Sequence, residues 1–539
     1  MKLGLDFDNT LINYDRLIRA VAVERGLIDP ASPLHAKQEL RDAIRRQPDG
    51  DLRWQEIQSY IYSDGIARAD CPEGLEGLGA LLRQPGIETW IVSHKTITAP
   101  FDPHQHNLRS AALAWMESHG FFDPQGLNLK RAHVVFADTK EQKIELVREL
   151  KFTVLIDDLA EILDHPRFPT NIRRILYTPA PMTDSTADHA DSWDKIVEFL
   201  SDEFSTEKLR LAIAEFTAED FQFTRVSGGR NSRCFRIAAG ARPDEAIFLK
   251  QYFRSAHDTR NRLATEYRAL EFMRTHQLEC VPCPLFRSEE THSAGYLFVE
   301  GTHALLTEIT ERDIKALLTF LRHLHALRKE PGAAEIGPAS EACFSLADIG
   351  RNLTARFERL LNVQDERLQE FLVSLTPTLH ATLEEAADKL ASLDSTRETK
   401  ISRELQTLSP SDVGFHNAIR LADGGMIFID FEYFGWDDPA KLICDFLLQP
   451  EQKVSAVRLR QFCNGAYQIY GDASLAPRVQ VYLPLFRLKW VMILLNEFLQ
   501  DSGARRTFAA SKNVNGSLIA RSQLEKARRM ALYPLPSVA

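Results

Sequence analysis

The chain has 539 residues, of which 44% are hydrophobic and 26% are charged, and this ordinary globular composition excludes wholesale disorder. Its length exceeds what one hydrophobic core supports, which predicts two domains, or two domains with a small cap. The formal net charge of −10 argues against a nucleic-acid-binding protein, because such a protein needs a concentrated basic face.

Cysteine usage and apolar stretches indicate the cellular compartment of the protein. Seven cysteines without regular spacing are typical of a reduced cytoplasmic protein and not of a disulfide scaffold. Acidic residues at positions 6 and 8 interrupt any signal-peptide core. The most apolar stretch, 481–498, contains Arg487 and Lys489, which predicts a buried helix and not a membrane span. We therefore expect a soluble, cytoplasmic protein without a membrane or nucleic-acid partner.

Short apolar runs alternate with helical patterns in the first 200 residues. Strands of this length separated by helices predict a doubly wound parallel α/β sheet with helices on both faces. Residues 11–88 are rich in helix formers and predict a small helical cap above the carboxyl edge of the sheet, where such sheets bind ligands. We place this domain at 1–204. The predicted strands are Leu3–Phe7, Thr89–Val92, His133–Phe136, Thr153–Ile156 and Ile175–Tyr177.

Polar residues stand where these predicted strands end. Parallel strands bring their carboxyl ends to one edge, so side chains from distant parts of the chain can build one site there. One carboxylate can attack phosphorus, and a second can protonate the leaving alkoxide and then activate water. Mg²⁺ between carboxylates offsets the repulsion between an anionic nucleophile and an anionic substrate. The candidate residues are Asp6, Asp8, Ser93, Asp157, Asp158 and the helix-start lysines Lys140 and Lys143.

The order of these motifs resembles the haloacid dehalogenase superfamily over roughly residues 1–200. The matched motif is Asp-x-Asp-x-Thr at 6–10, followed by the serine, a lysine and the aspartate pair. The resemblance implies that Asp6 is the nucleophile and Asp8 the acid/base, and the presence of Asp8 favours phosphate-ester hydrolysis. Lys143 is preferred as the phosphate-binding lysine, with Lys140 as the alternative. The implied Mg²⁺ ligands are Asp6, Asp8, Asp157 and Asp158.

The pattern changes from residue 216 onward. Runs around 221–252 predict antiparallel strands, and 261–276 predicts a helix. A long helical stretch through 305–400 and a strand–turn–strand element at 411–434 follow. Glycines let backbone amides approach a phosphate closely, and a lysine inside an apolar strand can reach one. The candidate nucleotide-binding residues are Gly228, Gly229, Lys250 and, as the partner of that lysine, Glu266.

The strongest signal of the second half lies at 412–430. Asp412 and Asn417 are five residues apart, and Asp430 follows a short predicted hairpin. One aspartate can orient and deprotonate a hydroxyl, while an Asn/Asp pair holds Mg²⁺ on a nucleotide. Together they are the minimal apparatus of a kinase, which needs positioning and charge neutralisation more than covalent chemistry.

This half, about 215–539, resembles the aminoglycoside phosphotransferase/choline kinase family, which has a two-lobed, protein-kinase-like α+β fold. The resemblance implies that Asp412 is the catalytic base and that Asn417 and Asp430 bind the metal. It also implies that Lys250 binds the phosphates of ATP. The family usually has a histidine two residues before the catalytic aspartate, where this chain has Pro410. The predicted domain covers 205–539, with an N-lobe at 215–302 and a C-lobe at 303–539.

We expect a bifunctional enzyme with a Mg²⁺-dependent phosphatase and an ATP-dependent kinase. Its substrates would be a small phosphate ester and a small alcohol acceptor such as a polyol, sugar or amino alcohol, as in the synthesis of nucleotide-activated polyols or capsule decorations. Three alternatives stay open: opposed regulation of one substrate, a nucleotide-sensing pseudokinase that regulates the phosphatase, and an aminoglycoside-type antibiotic kinase. The last needs several carboxylates facing the substrate, for which Glu432, Asp437 and Asp438 are candidates.

Overall fold

The computed structural model divides the chain into two compact units, Met1–Leu211 and Ala212–Ala539. The structure describes residues 1–99, 104–178, 185–214, 221–226, 232–239, 242–254, 260–393, 395–451, 454–499 and 516–536.

The first unit contains a six-stranded sheet in which every neighbouring pair is parallel. Its order is β3-β2-β1-β4-β5-β6, an arrangement of doubly wound sheets with a crevice at the carboxyl ends of the central strands. All five predicted strands are confirmed. The sixth was missed because it has only three residues, two of them polar. The strands are β1 (Lys2–Leu5), β2 (Glu88–His94), β3 (Val134–Ala137), β4 (Val154–Asp157), β5 (Arg173–Tyr177) and β6 (Asp188–Ala190).

Both faces of this sheet are covered, as the apolar runs predicted. Leu5 and Ile156 belong to one core cluster, whereas Val92 and Leu155 belong to another. Because successive side chains of a strand point to opposite faces, this division places a separate core on each side of the sheet. The helices are α1 (Asp15–Glu24), α2 (Lys37–Arg45), α3 (Gly50–Tyr62), α4 (Glu76–Leu82), α5 (Leu108–Ser118), α6 (Lys140–Leu150), α7 (Ala160–Leu163) and α8 (Trp193–Ile213).

The segment 11–88 is helical, as predicted, and helices α1, α2 and α3 pack against one another. Leu40 and Ile44 lie one turn apart on α2 and are fully buried, so this helix has one apolar face. Its cluster continues into the sheet core, which anchors the helical segment to β1 and its neighbours.

The second unit begins with a five-stranded sheet in the order β10-β11-β9-β8-β7, in which all pairs are antiparallel. This confirms the strands predicted around 221–252. Strand β9, which carries Lys250, is an inner strand between β8 and β11, so that lysine does not lie on a sheet edge. The strands are β7 (Phe221–Val226), β8 (Ser232–Ala239), β9 (Arg242–Tyr252), β10 (Pro284–Ser288) and β11 (Ser293–Leu297).

The remainder is mainly helical, with two small sheets ordered β12-β14-β15 and β13-β16. The short strands are β12 (Thr302–His303), β13 (Thr407–Ser409), β14 (Ala418–Arg420), β15 (Met426–Phe428) and β16 (Gly435–Asp437). The helices are α9 (Arg262–Thr275), α10 (Glu311–Leu327), α11 (Leu346–Leu361), α12 (Glu366–Ala391), α13 (Pro439–Leu448), α14 (Ala456–Tyr470), α15 (Leu475–Leu494) and α16 (Gly516–Leu532).

Helix α15 contains the most apolar stretch of the sequence. By length and composition alone, Leu475–Phe498 could cross a membrane, but 67% of its apolar window is buried inside the structure. The prediction of a buried helix at 481–498 is confirmed, because the side chains of α15 belong to the large core of the second unit.

We predict that Trp193→Phe lowers the free energy of unfolding of the first unit by about 1–3 kcal/mol. Trp193 is fully buried, and its Nε1 donates to the carbonyl oxygen of Thr10 at 3.0 Å, which ties α8 to the loop after β1. Urea unfolding followed by hydrogen exchange of peptides from residues 1–20 reports on this unit alone. The control is Trp90→Phe, since Trp90 is half-buried and bonds to the exposed Glu88. Equal losses for the two variants would contradict the prediction.

Candidate active sites

The first site lies where β1 and β4 end, and one lysine stands at its centre. The Lys143 Nζ donates to Asp6 Oδ1 at 2.5 Å and lies 2.7 Å from Asp157 Oδ2. All three side chains are almost fully buried. Thr139 caps α6 by accepting from the amide of Gln142, so the helix starts at a fixed point and brings Lys143, one turn in, to the sheet edge.

The geometry distinguishes the two lysines that the sequence left open. Lys140 lies on the exposed side of the same helix start, where it pairs with Glu161. The structure describes no contact between Lys140 and Asp6 or Asp157. The position of Lys143 therefore favours it over Lys140 as the lysine of this site.

The carboxylates around Lys143 fit a divalent cation. Oxygens of Asp6, Asp157 and Asp158 all lie within 4.8 Å of one another. Burial raises the pKa of Asp6 to about 7 and that of Asp158 to about 8, and repulsion from neighbouring carboxylates adds to both increases. Hard carboxylate oxygens are the ligands that Mg²⁺ prefers, and its charge would relieve this repulsion.

Asp8 has a different set of partners, which sequence reasoning missed. Its carboxylate accepts from the Tyr14 hydroxyl at 2.7 Å and from the buried Lys95 Nζ at 3.0 Å. The only sequence signal for Lys95 is its spacing of two residues after Ser93, and Tyr14 had none. These contacts fix the orientation of Asp8.

Ser93 and Asn9 occupy unusual environments beside these carboxylates. The Ser93 hydroxyl is buried and has no hydrogen-bond partner among the described residues, which leaves a donor available for a ligand oxygen. Asn9 adopts a left-handed backbone with φ +59° and donates from Nδ2 to Asp158 Oδ2 at 3.2 Å. Lys37, from the start of α2, donates to Asn9 Oδ1 at 3.2 Å, so the helical segment contributes a cation next to the aspartate motif.

The second site lies in the other unit and is also centred on a lysine. The Lys250 Nζ lies 2.7 Å from Glu266 Oε2 and 2.7 Å from Asp430 Oδ1. It also lies 3.6 Å from Glu432 Oε2. The predicted pairing of Lys250 with Glu266 is thus present, and Glu266 is a buried residue of α9 rather than a solvated one. Its other oxygen accepts from the amide of Phe431 at 3.2 Å.

The carboxylates of this site also suit a cation. Oxygens of Glu266, Asp430 and Glu432 lie within 4.8 Å of one another. Burial raises the pKa of Asp430 to about 7, and repulsion from Glu432 and Glu266 adds to the increase while Lys250 opposes it. Asn417 lies at the same end of the β14–β15 hairpin, because the amide of Ile429 donates to its carbonyl oxygen at 2.9 Å. This bond places the backbone of Asn417 beside Ile429, the residue before Asp430.

Asp412 sits in a short, tightly held loop. His416 Nε2 lies 3.0 Å from Asp412 Oδ1, and Asn417 Nδ2 donates to the Asp412 carbonyl oxygen at 3.0 Å. Burial alone would raise the pKa of Asp412, but the hydrogen bond and charge of His416 outweigh it and lower the pKa. Ser411, immediately before Asp412, and Asp430 both have left-handed backbones, with φ +65° and +68°. Such strain clusters at functional sites.

The remaining candidate residues of this unit are Gly228, Gly229, Asp437 and Asp438. Gly228 and Gly229 lie outside the described residues. Asp437 and Asp438 are fully buried: Asp437 lies 2.8 Å from Lys441 Nζ, and Asp438 caps α13 and lies 3.0 Å from Arg478 Nη2. Internal ion pairs therefore occupy these two carboxylates, and they do not converge with Glu432 on a substrate.

One protein-family model matches part of the second unit. Residues 222–446 match the family model described as "Phosphotransferase enzyme family", so the C-terminal part of the chain carries a phosphotransferase-type, kinase-like domain. No curated protein matches the chain.

Several solved structures are similar to the chain. A spectinomycin phosphotransferase, solved with ADP and spectinomycin, is 14% identical over 56% of this chain and 92% of that chain, with a TM-score of 0.35. An ethanolamine kinase from Plasmodium vivax is 13% identical over 57% of this chain and 81% of that chain, with a TM-score of 0.38. A choline kinase from Streptococcus pneumoniae is 11% identical over 61% of this chain and 100% of that chain, with a TM-score of 0.40.

We predict that Lys143→Met lowers the free energy of unfolding by about 3–5 kcal/mol without Mg²⁺, because it leaves buried carboxylates without their cation. Added Mg²⁺ should recover part of this loss. Lys140→Met is the matched control on the same helix and should change stability by less than about 0.5 kcal/mol. Urea unfolding with and without Mg²⁺ measures both. A loss from Lys143→Met no larger than that from the control would contradict the assignment of Lys143 to the centre of this site.

Proposed function

We propose that the chain is a bifunctional phosphoryl-transfer enzyme: its first unit hydrolyses a small phosphate monoester, and its second transfers a phosphoryl group from ATP to a small alcohol. One observation carries the proposal. In each unit, carboxylates from separate motifs surround one buried lysine, Lys143 in the first and Lys250 in the second. The phosphotransferase-family match at residues 222–446 supports the kinase half.

The contacts of the first site support a two-step hydrolysis by an aspartate nucleophile. An oxygen of Asp6 attacks phosphorus, an acyl-phosphate forms, and the bond from phosphorus to the alkoxide breaks. Asp8 gives a proton to the alkoxide and then takes one from the attacking water, which releases inorganic phosphate and regenerates Asp6. The free Ser93 hydroxyl and the Lys143 ammonium are donors for the phosphoryl oxygens.

The contacts of the second site support direct transfer from ATP. Lys250, held by Glu266, binds phosphate oxygens, while Asp412 orients the acceptor hydroxyl and accepts its proton as the oxygen attacks the γ-phosphorus. Asn417 and Asp430 are the proposed metal ligands here. In the first site they are Asp6, Asp157 and Asp158, while the Asp8 carboxylate, bonded to Tyr14 and Lys95, keeps the acid/base role. Mg²⁺ bound by either set would neutralise the charge of the transferring phosphoryl group.

The proposed acceptor is a polyol, sugar or amino alcohol, as in the synthesis of nucleotide-activated polyols or capsule components. A kinase and a phosphatase acting on the same ester would only hydrolyse ATP, so we propose that the two sites act on different positions or intermediates. An aminoglycoside acceptor is not favoured, because Asp437 and Asp438 are bound internally to Lys441 and Arg478. All four residues that phosphoryl transfer needs are present, which favours transfer over nucleotide sensing. They are Lys250, Asp412, Asn417 and Asp430.

The kinase proposal predicts that an Asp6→Asn variant, incubated with ATP and Mg²⁺, adds a phosphoryl group to one member of an acceptor panel. The panel contains choline, ethanolamine, glycerol, pentitols, hexitols, free sugars and aminoglycosides, and mass spectrometry detects the product. Adding Asp412→Asn should reduce the rate by about 10²–10⁴-fold, because the base is lost. Asp423→Asn, an exposed aspartate in the turn after β14, is the control and should keep full activity. Absence of product and of ADP with every acceptor would overturn the kinase proposal.

The phosphatase proposal predicts release of phosphate from a panel of phosphate monoesters, including p-nitrophenyl phosphate, by an Asp412→Asn variant. Adding Asp6→Asn or removing Mg²⁺ with a chelator should abolish this release, since the nucleophile or its counter-charge is lost. Acid quenching during turnover should leave one phosphoryl group on the peptide that contains Asp6. The exposed Asp51→Asn serves as the control. Hydrolysis that persists unchanged in Asp6→Asn would refute the nucleophile assignment.

A further inference from the structure

The loop that carries Asp412 is held in a strained conformation at Ser411. A left-handed backbone is unfavourable for a serine, and such a conformation persists only where the surroundings fix it. Two local contacts contribute: the Ser411 amide donates to Ser409 Oγ at 3.0 Å, and the Ser411 hydroxyl is 3.3 Å from the carbonyl oxygen of Ser340. Pro410, the residue before Ser411, has no amide hydrogen to donate.

A third contact comes from a buried lysine of α13. The Lys441 Nζ donates to Ser411 Oγ at 2.9 Å. Lys441 is 1% exposed, and an ammonium buried to that degree needs compensation for the water it has lost. Asp437, at 2.8 Å, and Asp445, at 3.4 Å, provide the opposite charge. Asp437 ends β16 just before α13, and Asp445 lies one helical turn after Lys441, so the two aspartates come from either side of the lysine in the chain.

The carboxylates that hold Lys441 are themselves fixed. Asp437 Oδ1 accepts from the amides of Cys343 and Asp438, at 3.2 and 3.0 Å, and Asp445 also lies 3.2 Å from Lys489 Nζ. The segment near Cys343 includes Ser340, whose carbonyl oxygen meets the Ser411 hydroxyl. The network therefore links three parts of the unit: α13, the segment 340–343 and the loop at Ser411.

Lys441 has two kinds of partner. Two aspartates lie at ion-pair distance from its ammonium, and the Ser411 hydroxyl accepts a hydrogen bond from it. Neutralising two carboxylates requires no contact with the loop. The third contact is the one that joins this buried ionic network to the residue next to Asp412.

We propose that Lys441 is a positioning residue of the phosphoryl-transfer site, which acts through the Ser411 hydroxyl to hold Asp412 in place. The consequence for catalysis rests on the proposed kinase function, in which Asp412 receives the acceptor proton. The mechanical part of the proposal, that the Lys441–Ser411 contact restrains the loop, does not depend on activity. The two parts can therefore be tested separately.

Hydrogen exchange of the intact chain tests the restraint. The Asp412 amide donates to the Pro410 carbonyl oxygen at 2.8 Å, so its exchange reports the opening of this loop. Ser411→Ala removes one hydroxyl and leaves Lys441 with its two aspartates, so the fold is retained. Exchange in peptides covering 408–416 should then rise about fivefold or more, the factor that one ordinary hydrogen bond gives. The control, Ser374→Ala, removes an exposed hydroxyl of α12 that donates to the carbonyl oxygen of Phe371 at 2.7 Å, and should leave these peptides unchanged. Unchanged exchange in Ser411→Ala would overturn the proposal.

Steady-state kinetics with the acceptor identified by the panel test the consequence. Ser411→Ala and Lys441→Met should each lower kcat by about 10- to 100-fold through misplacement of Asp412, with the KM for ATP unchanged because Lys250 and Asp430 are untouched. The double variant should be no slower than the slower single variant, since both changes break one contact. Multiplying losses, or an increase in the KM for ATP, would overturn the positioning role. Ser411→Ala also breaks the bond to Ser340, so if Lys441→Met does not fold, Lys441→Met combined with Asp437→Asn, which removes one buried carboxylate charge with the lysine, takes its place. If the parent protein phosphorylates no acceptor, the kinase function fails while the exchange result still supports or overturns the restraint.

Discussion

Each of the two sites buries several carboxylates around one central ammonium group. Lys143 stands between Asp6 and Asp157, and Lys250 stands between Glu266 and Asp430. Removing charges from water is costly, and an apolar core of the same volume would often be as stable or more stable. Stability alone therefore does not account for either cluster. A site that must bind a cation and a phosphate does account for it, because it needs anions and a cation next to one another in a partly dry environment.

The two folds differ, but each places a lysine between carboxylates from separate elements. In the first unit, parallel strands deliver Asp6 and Asp157 to one edge of a sheet, and a capped helix delivers Lys143. In the second, the inner strand β9 carries Lys250, α9 carries Glu266, and the segment after β15 carries Asp430. Backbone strain accompanies the motifs in both units, at Asn9 in the first and at Ser411 and Asp430 in the second. Seven other non-glycine residues among those described share this conformation, among them Asp49 and Lys151 at helix ends, so the strain accompanies the motifs without being peculiar to them.

Much of this arrangement could be predicted from the sequence because it depends on periodicity and on the rule that parallel strands end together. Five of the six strands of the first sheet followed from apolar runs, whereas β6 has too few apolar residues to form a pattern. The choice between Lys143 and Lys140 could not be made from spacing, since both lie at one helix start. It depends on which side of α6 faces the sheet. Lys95 and Tyr14 lie outside regular periodic patterns, and although Lys95 stands two residues after Ser93, that spacing does not link it to Asp8.

The acidic residues after β15 show a further limit of sequence reasoning. Asp430, Glu432, Asp437 and Asp438 stand within nine residues, yet only the first two belong to the lysine-centred site. The other two differ in what they meet: Asp437 meets Lys441, and Asp438 meets Arg478 from α15, forty residues away in the chain. A pairing of that separation leaves no local signal. The pairing of Asp437 has a local effect. Lys441 also donates to Ser411, so this ion pair is connected to the loop of Asp412. The same acidic stretch thus supplies the proposed metal ligand Asp430 at one end and support for the loop of Asp412 at the other.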